Sequence, residues 1–84
     1  MWLAVHEEPA LGAIGVLTIG TRGASGPGEA LLRVGGGTEA YIAWSEHALP
    51  RGTQVLAVTK RGPREVDVVP WPEDPFEVLG GVAP

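Results

Sequence analysis

The sequence predicts an all-β protein, a small five-stranded β-barrel of the OB or SH3-like kind with little or no helix. Three observations carry that expectation. Five short apolar stretches, each about the length of a strand, are cut apart by glycine and proline. Where a stretch shows a clear period, the period is two rather than 3.6. The breaks between stretches are tight and leave no run long enough for an independent helix. Closing five such strands into a barrel removes the edges that an open sheet of this size would expose.

The first strand is expected from Ala13 to Ile19, a β-branched and aliphatic run between Gly12 and Gly20. Gly15 inside it points to a bulge, a bend or the close approach of another strand. The nine residues from Gly20 to Gly28 are dominated by turn formers and read as a long mobile loop. From Glu29 to Val34, Ala30, Leu32 and Val34 share one face and Glu29, Leu31 and Arg33 the other. Gly35, Gly36 and Gly37 supply the positive φ of a hairpin turn. A third strand over Glu39 to Ser45 has Ala40, Ile42 and Trp44 on one side, expected inward, and Tyr41 and Ala43 on the other. Glu46 to Gly52 leaves room for one helical turn at most, closed by Pro50. Thr53 to Thr59 is nearly continuous in apolar residues and reads as the central, two-sided strand. Lys60 to Arg64 forms a basic turn. Glu65 to Trp71 follows as the fifth strand, with Val66 and Val68 inward and Glu65 and Asp67 outward.

The expected organisation is therefore an N-terminal segment or junction at 1–11, a barrel at 12–71, and an acidic tail at 72–84, rich in Pro and Gly and expected to be disordered. A chain of 84 residues makes about one small domain. It has no cysteine, so neither a disulfide nor a thiolate zinc site supports it, which fits a reducing compartment. The net charge of −4 argues against a general nucleic-acid binder. No apolar run reaches the roughly 20 residues of a membrane-spanning helix, and the start lacks the pattern of a signal peptide.

No cluster suggests catalysis. His6 and His47 have acidic neighbours but no ligand spacing, so no metal site is expected. Ser25 and Ser45 lie in no nucleophile elbow, and the loop from Gly20 to Gly28 matches no phosphate-binding pattern. What remains is exposed binding chemistry. Lys60, Arg61 and Arg64, with Arg22 converging from the first loop, are expected to form an electropositive rim. Tyr41 and Trp71 are expected to serve as exposed aromatic anchors. The same basic loop at residues 60–64 offers single-stranded nucleic acid as the alternative ligand.

Gly12-x-x-Gly15-x-Leu17, Gly28, Tyr41-Ile42-Ala43-Trp44-Ser45, Leu49-Pro50-Arg51-Gly52-Thr53-Gln54-Val55 and Val66-Asp67-Val68-Val69-Pro70 resemble the NfeD-like proteins in their C-terminal soluble domain. The resemblance covers roughly residues 12 to 71. It implies a five-stranded OB-like barrel without the usual helix between strands three and four. It also implies a non-enzymatic protein-interaction module with no cofactor, working with a stomatin, prohibitin or flotillin-like membrane scaffold protein. The expectation that follows is a monomeric, cytoplasmic domain at or near a membrane face, with no membrane span of its own.

Overall fold

The computed structural model describes residues 10–71. Five strands, β1 (Ile14–Ile19), β2 (Gly28–Val34), β3 (Gly37–Trp44), β4 (Gln54–Gly62) and β5 (Glu65–Pro70), close into a barrel in the order β1-β2-β3-β5-β4. All neighbours are antiparallel except β3 and β5, which pair in parallel through Ile42↔Glu65, Ala43↔Val66 and Trp44↔Asp67. Of the expected N-terminal segment at 1–11 all but residues 10 and 11 lie outside the described residues, as does the expected tail at 72–84.

Alternation along each strand aims one set of side chains into the barrel. Leu17, Ala30, Leu32, Tyr41, Ala43, Val55, Ala57, Val66 and Val68 form the core, with Ala10 and Ala13 at one end and Val34 and Leu49 packed alongside. Among the described residues only Leu17, Leu32, Val55 and Val66 are both large and fully enclosed. Small residues dominate because the interior of a five-stranded barrel is narrow. At Gly15 that narrowness reaches the backbone: a Cβ there would overlap the Leu31 carbonyl of β2. Close approach by a neighbouring strand, one of the three explanations for Gly15, is therefore the one that holds. The β1 register shift falls between Leu17 and Ile19 instead.

Four details differ from the sequence expectation. In β3 the inward residues are Tyr41 and Ala43, while Ile42 is exposed and Ala40 and Trp44 are half-buried. An indole at position 44 is too large for an interior lined by alanines, so the smaller phase of the alternation turns inward. β4 is not two-sided either, since Leu56 is half-buried and Val58 exposed; a closed barrel has no central strand, and every strand keeps one outer face. Lys60 and Arg61 belong to β4, and the turn itself is Pro63-Arg64, with φ +59° at Arg64. Proline followed by a residue of positive φ is the pattern of a type II turn, here with arginine where glycine is usual. Finally, the connection between β3 and β4 contains no helix, whereas a 3-10 turn, Gly23–Ser25, forms in the glycine-rich loop.

Candidate functional site

The loop between β1 and β2 is held down by Thr21, a buried residue of otherwise polar character. Its N–H donates to the Leu49 carbonyl and its Oγ1 accepts the Leu49 N–H, both at 2.9 Å. Oγ1 also lies 2.5 Å from Ser45 Oγ, which donates to the His47 carbonyl. Gly23 then rests against the backbone of Glu46 and Ala48, where its φ of +62° and lack of a side chain permit the contact. Thr21→Val keeps the shape but leaves the Leu49 N–H without its acceptor. The expected cost is about 1–3 kcal/mol, read as a lower urea midpoint at unchanged slope.

With this loop pinned, Gly23 and Ala24 make one wall of a groove of about 530 Å³. Trp44, Ser45, Glu46, Val58, Arg61, Asp67, Val68 and Val69 complete its lining. Two register shifts in the β4–β5 ladder, between Ala57 and Thr59 and between Lys60 and Gly62, each add a residue to β4. The added residues are Val58 and Arg61, both of which line the groove; bulges commonly re-aim side chains in this way.

Arg61 Nε donates to Asp67 Oδ1 at 2.9 Å while its guanidinium carbon lies 4.4 Å from the centre of the Trp44 ring. The pair is partly exposed, so its Coulomb energy is modest, and its effect is to fix the arginine flat over the indole. Trp44 Nε1 is buried without an acceptor among the described residues.

The six residues expected from sequence do not form one patch. Arg64 donates to Glu39 Oε1 at 2.6 Å and covers the Tyr41 ring at 4.8 Å. The hydrogen bond it donates to Glu39 holds the Arg64 guanidinium above its ordinary pKa. Tyr41 and Trp44 stand on opposite faces of β3, so the two arginines above them are parted. Arg22 is exposed and folds back along its own loop beside Gly26. Lys60 is exposed on β4 opposite Val66. Trp71 is half-buried and donates its N–H to the Gln54 carbonyl at 2.7 Å, at the far end of the β4–β5 ladder.

Of the residues expected to form an electropositive rim, Arg61 pairs with Asp67 and Arg64 with Glu39, while both remain exposed. Tyr41 is corrected from exposed anchor to core residue, at 4% exposure. The sequence reading sets Trp44 in the core and does not find Val58, Asp67 or Val69. For Trp44 and Val58 the signal is a surplus: β3 and β4 carry more apolar bulk than one inner face can use. Among the described residues no group of three acidic or histidine side chains is placed to hold a metal, and no helix is long and apolar enough to cross a membrane.

Residues 14–69 match the sequence model of the NfeD C-terminal domain. Among solved structures, the chain is similar to the soluble domain of the NfeD protein YuaF from Bacillus subtilis, solved in solution. The two are 26% identical, the match covers 75% of each chain, and the TM-score is 0.61. No curated protein matches the chain.

Proposed function

The chain belongs to the NfeD C-terminal domain family, and from that membership we propose that it is a non-enzymatic protein-interaction module. It works with a stomatin, prohibitin or flotillin-like membrane scaffold protein, on the cytoplasmic side and peripheral to the membrane. The observation that carries the reading to a site is the Trp44 groove. An aromatic ring, a prearranged Arg61–Asp67 pair and the exposed apolar side chains of Val58 and Val69 lie together there. Tryptophan and arginine are the residue types that dominate interface energetics. Among the described residues the Trp44 indole N–H has no acceptor, and a buried donor of that kind is a group that a partner's main-chain carbonyl satisfies.

The experiment is affinity capture of the scaffold protein from membrane and soluble extracts, with wild type, Val58→Glu and Arg61→Glu as baits and with nuclease and salt as variables. Both substitutions fall on exposed side chains, so the barrel is expected to stay folded. A stomatin or flotillin-like protein retained by wild type through nuclease treatment, and at least tenfold depleted on both variants, is the expected result. Equal retention by the variants overturns the groove as the site. Recovery of nucleic acid that is lost steeply as salt rises overturns the protein-partner reading itself.

A further inference from the structure

On the other side of the barrel, the outer face of β1, β2 and β3 carries an apolar row whose flanks have opposite charge. Register pairs Val16 with Leu31 and Leu31 with Ala40, so these three residues lie side by side across the strands. Val16 is 44% exposed and Leu31 41%. Two residues along β2 in one direction stands Glu29, beside Ile42 of β3; two residues in the other stands Arg33, beside Thr38. Successive outward residues of a strand are about 6.7 Å apart, so the charges sit symmetrically about Leu31.

This pattern is complementary to itself. A two-fold axis lying over the Val16–Leu31–Ala40 row, perpendicular to the strands, sets each row on its own copy. The same rotation brings Glu29 of one chain over Arg33 of the other and the reverse, as an isologous contact requires. Shape agrees with charge. On the Arg33 side a groove of about 670 Å³ is bounded by Val16, Leu31, Arg33 and the glycine hairpin Gly35–Gly37. The Glu29 side projects Ile42, which is 40% exposed. The rotation that pairs the charges also carries Ile42 of each copy toward the groove of the other.

We infer that this face binds a second copy of the same chain. The occupant is identified by the pairing of Glu29 with Arg33 about Leu31, and the surface is separate from the Trp44 groove, so the inference stands whether or not that groove holds a partner. The contact joins two convex walls and is small. Self-association therefore depends on concentration and is sensitive to salt through its two ion pairs.

The test is sedimentation equilibrium of the full 84-residue chain over a concentration series, with circular dichroism to verify that each variant is folded. Wild type is expected to pass from the mass of one chain to that of two. Glu29→Arg alone places arginine over arginine, and Arg33→Glu alone places glutamate over glutamate, so each is expected to associate roughly tenfold more weakly or worse. An equimolar mixture of the two single variants restores both ion pairs in the mixed dimer, and the double variant restores them in a homodimer. Leu31→Lys, on an exposed side chain, is expected to stay monomeric. A wild type of single-chain mass throughout overturns the inference, as do single variants that dimerise like wild type or a mixture that fails to recover. Should Glu29→Arg unfold through loss of its bond from Thr18 Oγ1, Arg33→Glu and Leu31→Lys still decide between the two results.

Discussion

Gly15→Ala is expected to destabilise the barrel by roughly 3 kcal/mol or more, a large part of what a domain of this size has. The methyl group has nowhere to go. It would meet the carbonyl of Leu31 and the Cα of Leu32, the latter at 2.8 Å, and both belong to the backbone of β2. A flexible side chain can turn away from such a clash, but a strand in mid-ladder cannot, because Val16↔Leu31 and Leu17↔Ala30 fix its position. Each kcal/mol lowers the melting temperature by roughly 4–8 °C in a domain of 60–100 residues, so thermal unfolding followed by circular dichroism reads the effect directly. Gly36→Ala serves as the reference, since a Cβ at Gly36 meets nothing within 4 Å. Equal melting temperatures for the two variants would show that β1 and β2 are not in this close contact.

Tyr41→Ala is expected to cost about 3–5 kcal/mol, the usual range for emptying a buried aromatic position. The ring is 4% exposed, packs among residues as small as Ala43, Ala30 and Ala57, and carries Arg64 above it. The surrounding alanines have no side chain with which to close the space. Ile42→Ala, one position along and pointing outward, removes comparable apolar atoms from a surface position and is expected to cost well under about 1 kcal/mol at low protein concentration. Urea denaturation of both variants distinguishes the two faces of β3. A greater loss at Ile42 than at Tyr41 would mean that β3 is turned the other way round.

That contrast also explains which parts of the molecule were readable beforehand. β2 and β5 gather their charged residues in one phase, Glu29 with Arg33 and Glu65 with Asp67, so Ala30 and Leu32, or Val66 and Val68, take the inward one. β3 and β4 are apolar in both phases. In β3 the choice between Tyr41-Ala43 and Ala40-Ile42-Trp44 depends on interior volume, which emerges only when all five strands are in place. The bulges at Val58 and Arg61 leave no mark in the local sequence, because they arise from the way β4 must coil to reach both β1 and β5. Without them, Arg61 reads as part of a basic cluster with Lys60 and Arg64. With them, it lies on Trp44 and answers to Asp67. The candidate site was thus half legible: the arginine was visible and its aromatic and acidic partners were not, since they come from strands that meet only on closure.

The way the barrel shuts has a consequence of its own. β1, β2 and β3 follow one another as a meander, and β4 and β5 as a hairpin, each joined along long local ladders. The two halves meet along two seams: Ile14–Val16 pairs with Gln54–Leu56, extended by backbone bonds of Gly12 and Ala13 to Ala57 and of Leu17 to Gly52 and Thr53, and Ile42–Trp44 pairs with Glu65–Asp67. Hairpins form within microseconds, so the docking of two preassembled pieces that are distant along the chain is the step expected to limit folding. The same seams are where the native barrel parts first, by hinging rather than unravelling. Trp44 and Asp67 form the last rung of the second seam, and the groove is built directly over it. A molecule that settles there lies across the joint like a clasp. Through mass action it holds the two halves shut, and the amides on either side of the seam exchange more slowly while it stays.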